Sequence, residues 1–231
     1  LGATNNGTLG SSGGVDASDP LWALRVKNTA DSGSESLREV ITNANTLAGL
    51  NYIDFSIQQA NPATVSTITV STSALPTISD AVIIDGYSAF GSLPNSAPFG
   101  SINNAQIRIE VNAPVAVAGG SFGGITLENV NNSVIKGLSV YGVPSNGLSA
   151  RGISILGTST NNSIEGCFIG LYANGTFDVA SRNYNGIGTN ANNNTIGWNI
   201  VPDVSKFNVI ANSVFQGITI GGDNSKVQGN Y

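Results

Sequence analysis

The chain has 231 residues, 9 basic and 14 acidic side chains, no histidine and a formal net charge of −5. That length supports one sizeable hydrophobic core; the lack of a basic excess argues against nucleic acid as a partner, and no apolar run approaches the ~20 residues of a membrane span. Charged residues are only 10% against a usual figure of roughly 25%, so Asn, Ser, Thr and Gly must supply the polar surface, as suits an extracellular or cell-surface scaffold.

In chain order, the first clear element is a helix. Ser36-Leu37-Arg38-Glu39 forms a capping box, and Leu37, Val40, Ile41 and Ala44 follow at i, i+3, i+4 and i+7. The pattern predicts a helix over about 36–47 with its apolar face on the start of the fold. Tyr52–Ile57, Thr67–Val70, Ala81–Gly86 and Gln106–Val111 read as strands, separated by Pro-, Ser- and Asn-bearing loops near 58–66 and 87–104. From residue 124 the chain is periodic: four segments open with Gly-Ile, at 124, 152, 186 and 217, and close on Asn-Ser or Asn-Thr, an apolar residue and Gly. Aligned on Asn132, Asn162, Asn194 and Asn224, they recur every 30, 32 and 30 residues. Short β-branched alternating runs bounded by Gly and Asn are strands meeting at sharp corners.

These features predict an all-β fold, a right-handed parallel β-helix (β-solenoid) with one short α-helix near the N-terminus. The whole chain, 1–231, is expected to form one unit: an N-terminal strand and capping helix over 1–50, irregular coils over 51–123 and regular Gly-Ile/Asn repeats over 124–231. Asparagines at equivalent corners are expected to stack into amide ladders, and roughly eight coils are expected, an axial length of ~40 Å at ~4.8 Å per coil. Antiparallel hairpins are the competing reading of the Asn-Gly and Asn-Asn turns.

Val26–Gly33, Glu35–Ile41, Ala44-Asn45, Ile53-Asp54-Phe55, Leu75–Ile78 and Ile83–Gly86 resemble a family of bacterial surface and secreted β-helix proteins named CSLREA-type after the motif that opens their helix. The resemblance covers roughly residues 24–231, with Glu35 where the motif has its leading Cys. It implies a right-handed parallel β-helix exported to the cell surface, and no defined activity.

The two termini read as the halves of one repeat. Gly229-Asn230-Tyr231 followed by Leu1-Gly2-Ala3-Thr4-Asn5-Asn6-Gly7-Thr8 aligns without a gap on Gly166–Thr176, with identity at five of eleven positions: 166/229, 170/2, 174/6, 175/7 and 176/8. Either separate copies stack head to tail, one completing the next one's coil, or the chain is one unit of a longer tandem polypeptide. Gly229, Asn230, Tyr231, Leu1, Gly2 and Ala3 are the expected joint. The sequence starts without Met, which is read as processing of a longer product.

The chemistry-bearing residues give weaker patterns. Asp178 with Arg182, Asp203 with Lys206, and Gly222-Asp223 are the best candidates for a polysaccharide lyase or glycosidase, yet none forms the paired-carboxylate pattern that glycoside hydrolysis uses. Asp85-Gly86 and Asp223-Asn224 read more simply as turns, and Arg151 and Glu165 as solvent-facing, with at most a weak ion pair. Cys167, the single cysteine, reads as a buried hydrophobe; a nucleophilic role would need a base such as the absent histidine. Asp16 and Asp19 are a weak calcium pattern, and Asn131, Asn161 and Asn193 open Asn-x-Ser/Thr triplets. Tyr141, Tyr172, Tyr184 and Trp198 would form a stacking surface for neutral glycans if they converged, though packing at coil corners is the simpler account; Trp22 reads as N-terminal core. No catalytic residue, metal site or cofactor is expected. The expected role is a structural subunit of an extracellular fibre or surface assembly whose partner is itself, head to tail; the alternatives are a module of a long cell-surface adhesin or glycan-binding protein and, less favoured, a carbohydrate-active enzyme.

Overall fold

The computed structural model describes residues 24–114, 123–145 and 150–231. In chain order these form β1 (Arg25–Val26), α1 (Leu37–Ala44), β2 (Asn51–Phe55), β3 (Ser66–Thr69), β4 (Val82–Asp85), β5 (Ile109–Asn112), β6 (Ile125–Glu128), β7 (Val134–Lys136) and β8 (Ser139–Tyr141). They continue with β9 (Arg151–Leu156), β10 (Ser163–Glu165), β11 (Phe168–Ile169), β12 (Asn183–Thr189), β13 (Thr195–Gly197), β14 (Val209–Ile210), β15 (Ser213–Ile220) and β16 (Lys226–Gln228).

Every pairing between these strands is parallel. Three sheets run along the axis, in the orders β1-β2-β4-β7-β10-β13-β16, β14-β11-β8-β5-β3 and β15-β12-β9-β6. Neighbours in each sheet come from successive turns of chain, so the fold is the expected parallel β-helix, and the hairpin reading is set aside. The coils over 51–123 are less irregular than the sequence suggests: β2 and β4 occupy the same sheet as β7 and β10, in unbroken register.

Strand alternation places one residue of each short strand inward, and parallel register stacks these residues into aliphatic columns. Ile53, Ile84, Ile135, Ile164, Ile196 and Val227 form one. Ile68, Val111, Val140, Ile169 and Ile210 form the second, and Ile125, Ile153, Ile187 and Ile218 the third. Removing this surface from water stabilises the fold at about 25 cal/mol per Å² of apolar area.

The described residues form about six turns, where roughly eight coils were expected of the whole chain. Long lateral loops join strands of the same turn, notably 86–108 and 170–182. At ~4.8 Å per turn the axial length is roughly 29 Å.

Helix α1 closes the first turn. Ser36 is its N-cap, accepting from the Glu39 N–H at 3.3 Å, while Glu39 accepts from the Glu35 N–H at 2.6 Å. Leu37, Val40, Ile41 and Ala44 are buried against the first coil. The helix ends at Ala44 with Asn45 as C-cap, earlier than predicted: the Asn45 side chain donates to Thr77 O at 2.8 Å and accepts from the Ser79 N–H at 2.9 Å, tying the chain to the strand layer.

The corners set the register more sharply than the repeat did. Asn132, Asn161, Asn193 and Asn224 all adopt left-handed backbone, φ between 55° and 62°, which Asn tolerates better than other non-glycine residues. The residues after them, Ser133, Asn162, Asn194 and Ser225, are buried or half-buried and form the ladder. Ser133 N–H donates to Asn162 Oδ1 at 2.8 Å, Asn162 N–H to Asn194 Oδ1 at 3.0 Å and Asn194 N–H to Ser225 Oγ at 3.3 Å. The true repeat therefore joins 133, 162, 194 and 225, with intervals of 29, 32 and 31 residues. Aligning every triplet on an Asn shifts two of the four by one place, because each Asn-Asn pair offers two equally plausible anchors.

Candidate functional site: the open last coil

The first and last described turns differ in how they are covered. At the first, Leu24 and Val26 are buried beneath α1. At the last, inward positions become more exposed: Ile196 is 1% exposed and Val227 above it 43%, Thr189 is 2% exposed and Ile220 above it 39%, while Ile210 and Ile218 stay half-buried against the core. Val214 and Phe215 on β15 are also exposed. β14, β15 and β16 are the terminal strands of their sheets; the edge of β14 is taken up by Tyr231, while among the described residues β15 and β16 have no strand on their outer side.

Gly229, Asn230 and Tyr231, three of the expected joint residues, sit on this edge in the places that Gly166, Cys167 and Phe168 hold two coils below. Gly166 and Gly229 share left-handed backbone, with φ of 58° and 62°. A Cβ on Gly229 would also overlap the Trp198 ring, so this corner excludes any side chain. Asn230 repeats the role of Asn208. The Asn208 amide donates to Ile164 O at 2.9 Å, and the Asn230 amide donates to Ile196 O, one coil higher, at 3.0 Å. The two amides are themselves linked, Asn208 Nδ2 to Asn230 Oδ1, at 2.8 Å, and Asn208 Oδ1 accepts from the Cys167 N–H at 2.8 Å. Tyr231 continues the parallel ladder: its N–H donates to Asn208 O and its carbonyl accepts from the Ile210 N–H, both at 2.9 Å. Leu1, Gly2 and Ala3 lie outside the described residues, as do Asn5–Thr8, Asp16, Asp19 and Trp22.

An aromatic cluster supports this corner from below. Phe207 is 1% exposed and packs on Trp198, Tyr231 and Phe99, with ring centroids 4.8, 5.5 and 5.8 Å away. Phe99 belongs to the lateral 86–108 loop, whose Asn95 side chain donates to Val204 O at 2.9 Å. Sequence reading missed Phe207 and Asn208, which hold the C-terminal residues in place. A Phe-Asn-Val-Ile stretch carries no Gly-Ile signature, and only the register shows that it is the rung beneath Asn230.

A cleft of about 460 Å³ opens beside Tyr231. Phe168 and Val209 form its wall, Ala173–Gly175 one end, and Ile102, Asn103 and Arg108 its far side. Ile102 is 92% exposed, and Asn103 Nδ2 is a buried amide with no hydrogen-bond partner.

The structure does not assemble the other sequence candidates. Asp178 accepts from the Ala180 and Ser181 N–H groups and from the Tyr172 hydroxyl; the Tyr172 hydrogen bond holds its carboxyl below the usual range. Arg182 turns instead to Asn212 Oδ1 at 3.3 Å. Asp203 caps a short 3-10 turn through the Ser205 N–H, while Lys206 pairs with Glu165 at 3.1 Å. Glu165 is therefore ion-paired, and Arg151 is half-buried, crossing Gly188, with burial drawing its pKa down. Asp223 uses its backbone, N–H to Asn192 Oδ1 and carbonyl from the Asn193 N–H, as a turn. Asp85 is more than a turn residue: it accepts from Tyr87 N–H, the Tyr52 hydroxyl and Lys136 Nζ. Its register neighbour Asp54 is held by Arg25 in a bidentate pair. Each of these two carboxylates is ion-paired, Asp54 with Arg25 and Asp85 with Lys136.

Cys167 is free and fully buried, and burial pushes its thiol up to about 12. The aromatic candidates separate into three places: Tyr141 packs on Tyr172, Tyr184 stacks on Phe215, and Trp198 sits on Phe207. They form no common stacking surface. No group of three or more Cys, Asp or Glu able to hold a metal occurs among the described residues, and none of their helices is long and apolar enough to cross a membrane. No family model and no curated protein matches the chain.

Proposed function

We propose that the chain is a structural, non-catalytic subunit of an extracellular fibre or surface assembly, joined head to tail by completing a coil between one copy's last turn and the next copy's first residues. The observation that carries this reading is the place of Gly229-Asn230-Tyr231. They begin a further rung above Ile210, and residues 1–8 repeat the sequence that follows the equivalent rung at Phe168. On this reading Leu1 of the next copy follows Tyr231 on the ladder, beside Ile210. The contact joins two different surfaces, so it does not close and propagates as a line. Backbone pairing through each joint makes such a fibre resistant to denaturants. The low charge and amide-rich surface support a place outside the cell.

The test is electron microscopy and sedimentation of the purified 231-residue chain, with a denaturing gel. Fibres that resolve on the gel to ~23 kDa subunits support the reading. A chain that stays monomeric at high concentration overturns it, and native material that runs only as a much larger covalent species favours the tandem adhesin module.

A further inference from the structure

We propose that a polar groove on the outer face of the seven-stranded sheet, between β10 and β13, binds one ring of a neutral sugar. The site lies on the side of the solenoid and does not depend on the head-to-tail reading.

The groove follows from alternation in two paired strands. Ser163 and Ile164 are in register with Thr195 and Ile196. Ile164 and Ile196 are buried in the core, so Ser163, Glu165 and Thr195 stand on the outer face. The next place above Glu165 belongs to Gly197, whose left-handed backbone, with φ of 97°, leaves that face without a side chain. The 198–206 loop supplies one wall through Asn199 and Lys206, and the left-handed corners Asn161 and Asn193 close one end. The groove measures about 210 Å³. Sites that enclose drug-sized ligands run to about 300–1,000 Å³, so this one has room for a single ring.

The polar groups on its walls are only partly used by the fold. Glu165 Oε1 accepts from Ser163 Oγ at 2.8 Å and from Lys206 Nζ at 3.1 Å, which leaves Oε2 as an acceptor. Thr195 is 8% exposed, and its hydroxyl bonds no described residue. The Asn161 and Asn193 carboxamides also bond no described residue. Their neighbours in the repeat behave differently: Asn131 and Asn192 use their side-chain oxygens on the coil above, accepting from the Thr160 and Asp223 N–H groups at 2.7 Å each. The corner amides are thus spare where the residues before them are structural. Glu165 can only accept, Lys206 can only donate, and the amides and the hydroxyl do both. A sugar hydroxyl donates and accepts through one oxygen, so a ring of them meets both kinds of group. Glu165 disfavours an anion such as phosphate, and Lys206 disfavours a metal ion. No aromatic ring lines the groove, so affinity rests on hydrogen bonds exchanged with water, each of small net worth, and dissociation constants in the millimolar range are expected.

The experiment is saturation-transfer NMR on the full chain with D-glucose, D-galactose, D-mannose and N-acetyl-D-glucosamine, which reads weak binding whether or not the chain assembles. At least one of these sugars should bind. A linear trisaccharide of that sugar binding more tightly would identify a glycan as the source, and equal binding the free sugar. Asn193→Gly removes a carboxamide and keeps the left-handed corner; Thr195→Val removes the hydroxyl and keeps the β-branched shape. Each should weaken binding about three- to tenfold. Asn132→Gly, at the same corner one coil below and outside the groove, should bind as the unaltered chain does. Glu165→Gln keeps the shape and leaves Lys206 without its counter-charge, so this variant should bind D-glucuronate where the unaltered chain does not. If no sugar binds, or if binding persists undiminished in both Asn193→Gly and Thr195→Val, the site is refuted. If the unaltered chain takes inorganic phosphate or calcium in preference to every sugar, the ligand class is wrong.

Discussion

The first and last turns of this solenoid use the same aliphatic columns and end them in opposite ways. At the first, a helix of eight residues lays four apolar side chains over the column, and Arg38 anchors that helix to the second turn through Ala74 O at 2.5 Å and Ser73 O at 2.7 Å. At the last, the columns stop at half-exposed Ile220 and Val227. Stacked repeats draw stability from their neighbours, so a turn with a neighbour on one side only is the weakest. The difference locates where the described solenoid is well covered and where its last turn is half-exposed.

The largest expected effect comes from truncating matched aliphatic residues at the two ends. Ile41→Ala opens a cavity between α1 and the first coil and should cost about 2–5 kcal/mol. Val227→Ala removes two methyl groups that are already partly hydrated and should cost less than about 1 kcal/mol. Urea unfolding of the monomeric chain gives both values. Equal losses would show that the last coil is as well covered as the first.

The amide ladder gives a middle-sized contrast along the same axis. Asn194 is 1% exposed; its Oδ1 accepts from Asn162 N and Nδ2 at 3.0 and 3.1 Å, and its amide donates to Ser159 O and Asn192 O. Asn194→Ala strands several buried groups and should cost about 1–3 kcal/mol. Ser225→Ala, at the open end of the ladder, should cost less than about 1 kcal/mol, because water can reach the groups it leaves. A ladder that works only as spacing would give the two variants the same small loss.

Much of this contrast was legible in the sequence. Ser36 and the 3.6-residue spacing of Leu37, Val40, Ile41 and Ala44 announce a capping helix, and alternation in Ile153/Ile155 announces inward columns. Both signals are local, set by dihedral preference and periodicity within a few residues. What escaped depends on contacts across coils. The 132/161/193/224 register turns on which Asn of each pair takes the left-handed corner, and the partner strand decides that. Glu165 pairs with Lys206 across 41 residues, so its neighbour in sequence says nothing of it. The Phe207 cluster and the cleft exist only because the lateral 86–108 loop climbs the outside of the stack to meet Val204 and Phe207, and a loop's path is set by what it packs on. Gly229, Asn230 and Tyr231 stand in register two coils above Gly166, Cys167 and Phe168, the equivalence the alignment on a corner glycine implies; that they serve as a joint is the proposal.

The smallest expected effect lies in the capped turn and is read through pH. Asp31 sits where α1 meets the second coil. Burial alone would raise its pKa, but Arg38 at 2.7 Å, the Thr72 hydroxyl and N–H, and the Ser71 N–H together hold the carboxyl well below the usual range. A carboxylate whose folded pKa is depressed contributes stability above its unfolded pKa, near 3.9, and loses it as pH falls through the lower folded value. Asp31→Asn keeps an oxygen acceptor and removes the charge, so at neutral pH it should cost about 1–2 kcal/mol, and the gap from the unaltered chain should narrow steadily below about pH 4. A gap that stays constant from pH 7 to pH 2 would mean that the charge of Asp31 does nothing for the cap, and that the helix is held by its apolar face and by the two Arg38 bonds to Ser73 and Ala74.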